Sequence, residues 1–136
     1  MKILMIYVNS FTYKTTVKTL EEFPDINEQK TIENSLVGFI QVEEKDSENL
    51  SKSVTKLIKN LKWASKKNGI TKIVLHSFAH LSRSKAGAEI TKEIFDKAQK
   101  RLENANFEAV QTPFGYFLDL NVDAPGHSQA RIFKEF

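Results

Sequence analysis

The fold of this chain is decided by residues 71–82, which read TKIVLHSFAHLS. Lys72 to Leu75 is a short apolar run that contains β-branched residues, and such a run predicts a buried strand. The strand runs directly into a polar and aromatic segment, His76 to Ser82. Amphipathic segments precede and follow this stretch, so it predicts a β-strand placed between two α-helices.

The two helices are predicted from apolar residues that recur at helical spacing. The first is expected to start after an N-cap at Asp46-Ser47 and to stop at Asn68-Gly69. The second is expected to start after a cap at Ser84 and to end at Asn104–Asn106. The buried side of the first helix is assigned to Leu50, Val54, Leu57, Ile58, Leu61 and Ala64. The buried side of the second is assigned to Ala86, Ile90, Ile94, Phe95, Ala98 and Leu102.

Five more strands are predicted outside the helices, at Lys2–Val8, Phe11–Phe23, Leu36–Val42, Phe107–Val110 and Phe117–Val122. Asn9-Ser10 is interpreted as a break between the first two, which would pair with each other. Gly38 lies inside the third and indicates a close backbone approach or a bulge. The chain from Asp123 onward is interpreted as a turn and a short tail.

The resulting order of elements is β, β, β, α, β, α, β, β. This order predicts an α/β domain of two or three layers, in which two main helices pack on a mixed β-sheet. The length of 136 residues suits one domain, spanning residues 1–136. Hydrophobic residues make up 40% of the chain and charged residues 27%, values typical of a globular domain.

Composition also excludes several classes of site. The chain has no cysteine, which rules out disulfides, thiolate metal sites and a cysteine nucleophile, and fits a cytoplasmic location. No apolar run approaches the roughly 20 residues that cross a bilayer, so no membrane association is predicted. The net charge of +3 permits nucleic-acid binding without being diagnostic of it.

The three histidines are the first candidates for chemistry. His76 and His80 would share a face of a strand but stand well apart, and no acidic third ligand lies near them, so no metal site is predicted. The alternative interpretation of either histidine is a half-buried polar residue that closes a strand end. Nucleophile-elbow, phosphate-loop and dinucleotide-binding motifs are absent, so neither a catalytic triad nor a cofactor is predicted.

Two segments are placed where a ligand could bind. Residues 77–82 follow the carboxyl end of a buried strand, where ligands bind in open α/β sheets and free N–H groups can receive an anion or a polarised carbonyl. Residues 113–117 combine a proline, a glycine and aromatic rings on which a base can stack. An aromatic turn that seals the core explains the second segment equally well.

These two segments carry a resemblance to a known family. The Phe-Ala-His-Leu-Ser motif at 78–82 and the Pro-Phe-Gly-Tyr motif at 113–116 resemble the paired motifs of the editing domain of archaeal threonyl-tRNA synthetases. One helix and one strand lie between them, as in that family. The opening strand, Phe11-Thr12-Tyr13 and Gly126-His127 also fit, so that the resemblance spans nearly the whole chain.

The resemblance implies a fold like that of D-aminoacyl-tRNA deacylases, a homodimer, and hydrolysis of L-serine from mischarged threonine tRNA. Its implied partners are the aminoacylated 3′ end of tRNA and the rest of a threonyl-tRNA synthetase. In the family, backbone groups hold the amino acid and the 2′-hydroxyl of the terminal adenosine helps to activate water. By this resemblance His80 is catalytic. The implied substrate-binding residues are Ser77, Phe78, Ala79, Phe114, Gly115, Tyr116 and Phe117.

Two departures bear on activity. The family has a lysine that supports catalysis where this chain has Leu118, and a functional glutamate where it has Arg131. Lys14, Lys134 and Glu135 are the charges considered as substitutes. Three hypotheses follow: an editing hydrolase, a relative that binds a tRNA acceptor end or a nucleotide without cleaving it, and a domain that only dimerises.

Overall fold

The computed structural model describes residues 1–136 as one mixed sheet with two α-helices. Its elements are β1 (Lys2–Lys18), β2 (Gln29–Gln41), a 3-10 helix (Glu44–Asn49), α1 (Leu50–Lys67), β3 (Lys72–Ser77), α2 (Ala88–Asn104), β4 (Glu108–Gln111), β5 (Tyr116–Asp123) and β6 (Arg131–Glu135). The strand order is β4-β3-β2-β1-β5, with β6 also paired to β1. The predicted α/β architecture of a mixed sheet and two main helices is confirmed.

Lys2–Lys18 form one strand and not two, so the predicted break at Asn9-Ser10 is wrong. Val8 pairs with Ser35 and Ser10 pairs with Glu33, so only the Asn9–Asn34 pair between them is lost. The opposite edge of β1 pairs first with β6 and then with β5. Ser10 is paired on both edges, with Glu33 and with Asp123, so the strand continues past the polar dipeptide. The predicted second strand therefore continues the first instead of pairing with it.

Both helices pack on one face of the sheet. The residues assigned to the buried side of α1 are buried except for Leu50, which packs at the margin of the core. Gly38 of β2 permits this packing, since a Cβ there would lie 3.0 Å from Leu61 Cδ2. The predicted close backbone approach at Gly38 is thus confirmed. No helix of the chain is long and apolar enough to cross a membrane.

Two predicted helix caps are wrong. Asp46 lies within the 3-10 helix and does not cap α1. Asn49 caps α1 instead, by accepting a hydrogen bond from the Lys52 amide at 3.0 Å. Gly87 and not Ser84 precedes α2, because the Ser84 hydroxyl is used to accept a hydrogen bond from the Glu44 amide. The predicted stop at Asn68-Gly69 is confirmed, with Gly69 at a φ of 66°.

The opposite face of the sheet is covered by the sheet itself. Phe11 and Tyr13 of β1 and Ile32 of β2 form one cluster with Phe39 of β2 and Val74 of β3. The far half of the β1–β2 hairpin therefore coils back over the parallel part of the sheet. Both faces of β2 are buried from Ser35 to Gln41 as a result, which explains the continuous apolar run there.

Both ends of the chain meet at the edge where β2 and β3 finish. The buried Met1 ammonium lies 2.6 Å from Glu43 Oε1 and 3.1 Å from Asp46 Oδ2, and it donates to the Phe136 carbonyl at 2.6 Å. The last segment forms β6, so the prediction of a short tail was wrong. This arrangement fixes Glu43 beside the segment that follows β3.

Candidate functional site

The two predicted ligand-binding segments start at the same edge of the sheet. β3 and β4 are parallel neighbours with Leu75 paired to Gln111, so the segments that follow them leave the sheet side by side. Nδ1 of His76 lies 2.9 Å from Oγ1 of Thr112 and joins the two strand ends directly. The structure therefore brings the starts of both segments together.

The surroundings of His76 indicate a structural role. It is 6% exposed, and its ring packs edge-on against Phe39 at 5.1 Å. Burial lowers the pKa of His76 to about 4, because a charged imidazolium would lose its hydration there. A neutral, buried imidazole cannot exchange protons readily with a substrate. His76 therefore has a structural role, which is to hold Thr112 through their hydrogen bond.

The first segment is shaped by Gln41, a residue that belongs to neither predicted segment. Its Oε1 accepts hydrogen bonds from the amides of Leu81 and Ser82, at 2.6 and 2.7 Å. Its Nε2 donates to the carbonyls of Ser82 and Ser84, at 2.8 and 2.9 Å. All four hydrogen-bonding positions of the amide are used. A glutamine between Ile40 and Val42 in a buried run was the available signal.

The segment leaves two consecutive amides free. The Phe78 amide donates to the Ile40 carbonyl at 2.9 Å and the Leu81 amide donates to Gln41, but the amides of Ala79 and His80 have no acceptor in the protein. Both residues are exposed. Adjacent free N–H groups at the end of a buried strand can hold a carbonyl oxygen or an anion.

His80 stands beside these amides with its imidazole accessible. The ring packs edge-on against Phe78, with centroids 5.0 Å apart, and makes no hydrogen bond within the protein. Phe78 in turn packs against Phe39 at 5.3 Å. The aromatic contacts limit how the imidazole turns while its nitrogens stay free for a ligand.

The second segment uses most of its side chains to fasten the loop between β1 and β2. The Phe114 ring lies 5.0 Å from that of Phe23. The Tyr116 hydroxyl donates to the Pro24 carbonyl at 2.8 Å and accepts from the Ile26 amide at 2.7 Å.

Gly115 and Phe117 complete the second segment in different ways. Gly115 has a φ of 86°, and its carbonyl accepts hydrogen bonds from both the amide and the hydroxyl of Thr19. Phe117 is 62% exposed, so its ring is the most accessible among the predicted substrate-binding aromatics.

A cavity of about 490 Å³ opens beside the second segment. It lies between the far half of β1, the loop before β2, α2 and the end of β4, and Pro113 and Phe114 line it. No residue of 77–82 lines it. Phe78 and Leu118 instead both pack at the margin of the cluster formed by Phe11, Tyr13 and Val74.

The two residues that replace the family's lysine and glutamate, and the charged residues considered as substitutes, lie in different parts of the structure. Leu118 pairs with Thr15, and Arg131 is exposed on β6. Lys14 is exposed between β2 and β5, and Lys134 lies over the ring of Trp63 on α1, 5.2 Å from its centroid.

Glu135 is connected to the first segment through a chain of polar contacts. It lies 3.4 Å from Lys2, which contacts Glu43 at 3.2 Å. Glu43 accepts a hydrogen bond from the Ser82 hydroxyl at 2.7 Å. Glu43 was not predicted as a site residue, because adjacent side chains of a strand point to opposite faces and Glu43 and Glu44 were therefore not expected to cooperate.

Comparisons with known proteins show the family of the chain. Residues 1–136 match the family described as the Archaea-specific editing domain of threonyl-tRNA synthetase. The chain is 30% identical to a threonine–tRNA ligase of Hyperthermus butylicus, with 100% of this chain and 23% of that protein covered. It is also 30% identical to a threonine–tRNA ligase of Methanosphaera stadtmanae, over 98% of this chain and 22% of that protein. The chain thus spans less than a quarter of these relatives.

A solved structure shares the fold. The chain resembles the c-Myc DNA Unwinding Element Binding Protein with a TM-score of 0.66 and 14% identity, over 100% of this chain and 99% of that one. A likeness at this identity bears on the fold alone. It confirms the predicted D-aminoacyl-tRNA deacylase-like architecture.

Proposed function

Because this chain belongs to the Archaea-specific editing domains of threonyl-tRNA synthetase, we propose that it hydrolyses mischarged aminoacyl-tRNA, releasing L-serine from threonine tRNA. The observation that carries the proposal is the pair of free amides at Ala79 and His80, next to an accessible imidazole. An ester carbonyl needs such donors when it becomes an oxyanion. A role in proofreading during translation follows from the family.

In the proposed reaction the ester carbonyl oxygen accepts hydrogen bonds from the amides of Ala79 and His80. Water attacks the carbonyl carbon, the carbon–oxygen bond to the terminal ribose breaks, and a proton passes from water to the departing ribose oxygen. His80 orients the attacking water, and the ribose 2′-hydroxyl assists it. Phe117 offers its exposed ring to the terminal adenine, since aromatic rings stack on bases.

Selectivity has to act against a larger substrate. Threonine exceeds serine by one methyl group, and a hydrophobic pocket separates such pairs by only about 1–3 kcal/mol. We propose that threonine is excluded sterically or displaces the attacking water. We assign this exclusion to Ser77 and Phe78, which directly precede the two free amides.

The test is ester hydrolysis on both charged tRNAs. Seryl-tRNA and threonyl-tRNA of threonine specificity are incubated with the protein, and the remaining ester is followed over time. Selective loss of serine is expected, with a fall of at least about 100-fold in His80→Ala. His127→Ala is the matched control, because His127 is an exposed histidine outside the segment. Absence of ester loss from both tRNAs would overturn the proposal.

A second function is favoured by one specific observation. Leu118 and Arg131 replace the lysine and glutamate of the family, and a side chain that stabilises charge in the reaction can be worth 10²–10³-fold. On this alternative the chain binds a tRNA acceptor end without cleaving it. Leu118→Lys and Arg131→Glu distinguish the two: a hydrolysis rate raised only in the double variant supports the binding module.

We also propose that the chain forms a homodimer and acts in the cytoplasm with the rest of a threonyl-tRNA synthetase. Large apolar side chains are exposed at the end of β1 and on the edge strands β5 and β6: Val17, Phe117, Leu120, Val122 and Phe133. Exposed apolar groups of this kind indicate an interaction surface. Sedimentation of Leu120→Lys should show a monomer, whereas an unchanged mass would remove this edge as the interface.

A further inference from the structure

The helix α1 has an unusual charge. Its 18 residues include six lysines and no acidic residue: Lys52, Lys56, Lys59, Lys62, Lys66 and Lys67. The whole chain has a net charge of only +3, so everything outside α1 is net acidic. The basic character of this protein is therefore concentrated on one element.

The lysines of α1 are not paired with acidic side chains of the protein. In α2, Lys92 pairs with Asp96 and Lys97 pairs with Glu93, at 2.8 and 2.9 Å. No lysine of α1 forms an ion pair with the protein. Like charges four residues apart, such as Lys52 and Lys56, repel each other along a helix. The positive charge is thus left for a partner outside the chain.

The exposed lysines are arranged as a stripe with an aromatic ring in it. Lys52, Lys56 and Lys59 follow each other at steps of three and four residues, which places them on one side of the helix. Trp63 continues the stripe and is 42% exposed, with the ammonium groups of Lys67 and Lys134 at 5.9 and 5.2 Å from its ring. Lysines spaced along an accessible aromatic ring suit a backbone of phosphates with a base or sugar to contact.

The stripe starts at the same edge of the sheet as the candidate site, because α1 follows β2 and the 3-10 helix at the edge where β2 and β3 end. The Glu44 amide donates to the Ser84 hydroxyl and Ser82 donates to Glu43, which holds the start of the helical region against the first segment. An α-helix of 18 residues runs for roughly 27 Å. The basic stripe therefore leads from the edge of the sheet, where the free amides lie, toward the far end of the domain at Asn68.

We propose that the exposed face of α1, defined by Lys52, Lys56, Lys59, Trp63 and Lys66, binds the phosphate backbone of the double-helical stem of a tRNA. That the RNA is a tRNA rests on the proposed function; the charge of the face stands independently. A stem that lies along α1 delivers its single-stranded 3′ end to Ala79 and His80. The stem is held by charge, without regard to base sequence.

The test uses the single tryptophan of the chain as a reporter. Uncharged threonine tRNA is titrated into the protein at several salt concentrations, while Trp63 emission and the anisotropy of labelled tRNA are recorded. Binding should change the Trp63 emission. In Lys56→Gln/Lys59→Gln the affinity should fall about tenfold at low salt, and the slope of log K against log salt should fall by nearly 2, since each lost phosphate contact removes about 0.9.

The matched control removes two lysines from the other helix. Lys97→Gln/Lys100→Gln lowers the net charge by the same amount on α2, and both of its lysines are exposed. Its affinity should stay within about twofold of the unmodified protein. Equal losses in both double variants would overturn the proposal, because net charge and not the α1 face would then control binding. Loss of self-association only in the α1 variant would also overturn it, in favour of an interface between copies.

A short substrate separates this inference from the proposed function. A seryl ester on a single-stranded trinucleotide that ends in adenosine has no stem, so the α1 variant should hydrolyse it at the rate of the unmodified protein. If that ester is not hydrolysed but tRNA binding depends on α1, the proposed function fails and the α1 face stands. If the ester is hydrolysed but tRNA binding does not depend on the α1 lysines, the proposed function stands and the inference about the α1 face fails.

Discussion

Nδ1 of His76 lies 2.9 Å from Oγ1 of Thr112, and this contact ties the end of β3 to the end of β4 inside the core. It fixes the spacing of the two segments that carry the family motifs. Neither residue belongs to a motif. The contact therefore affects the site indirectly, by fixing the backbone from which both segments start.

The neutral state of His76 predicts a loss of stability in mild acid. Burial lowers the pKa of His76 from 6.5 to about 4. Between these pH values the unfolded chain therefore binds a proton at His76 and the folded chain does not. The contribution of neutral His76 to the free energy of unfolding is fully present above pH 6.5. It is lost as the pH falls toward 4, by roughly 3 kcal/mol in total. Denaturant unfolding across this window should give a flatter profile for His76→Gln. Parallel profiles would contradict a buried neutral histidine.

Glu43 predicts a second acid-sensitive window at lower pH. Burial raises the pKa of Glu43, but hydrogen bonds from the Met1 ammonium, Ser82 and Lys2 outweigh burial and lower it to about 2. A depressed carboxylate pKa stabilises the fold above pH 4.5, and this stability is lost as the pH falls from 4.5 toward 2. Glu43→Gln should cost about 3 kcal/mol at neutral pH, because it leaves a buried ammonium short of a partner.

The control for Glu43 is its exposed neighbour. Glu44→Gln removes the same charge at the next position, where the side chain makes no hydrogen bond in the protein. Its free energy of unfolding should change by less than about 0.5 kcal/mol. Similar losses in the two variants would show that the local charge matters and that the buried contacts do not.

Gln41 should be indispensable for the shape of the first segment. Gln41→Leu keeps the approximate volume but leaves two amides and two carbonyls without their partner, which should cost about 3 kcal/mol. Serine release should also fall, because the free amides of Ala79 and His80 would no longer be held in place. Gln29→Leu, at the exposed start of β2, is the control for thermal unfolding and for activity. A stable Gln41→Leu protein with full activity would refute this role.

Gly115 should resist substitution for a reason of backbone geometry. Its φ of 86° is unfavourable for residues with a Cβ, and a Cβ there would lie 3.3 Å from Leu20 Cβ. Gly115→Ala should therefore lower the free energy of unfolding by about 1–3 kcal/mol. Gly126→Ala is the matched control, since a Cβ there meets no atom within 4 Å. Equal melting temperatures for the two variants would show that the turn relaxes without cost.

The helices and the parallel strands could be predicted from the sequence because their signals are local. Leu57, Leu61 and Ala64 recur at helical spacing, and Ile73 to Leu75 form an apolar run, so each segment carries its own pattern. The errors occurred where pairing overrides local preference. Asn9-Ser10 stays in a strand because both edges of β1 are paired, and β6 forms because β1 offers an open edge to residues that show no buried face of their own.

The sequence by itself determined the alternation of strands and helices from β2 to β5, the lack of thiol chemistry, and the two motifs that point to the family. Only the tertiary structure decided that Gln41 shapes the first segment, that His76 and Thr112 join the two strand ends, and that Ala79 and His80 keep their amides free. Each of these features joins residues far apart in the chain, or depends on which hydrogen bonds remain unmade. Periodicity and motif spacing describe neighbours along the chain, so they carry no record of contacts that exist only once the sheet has formed.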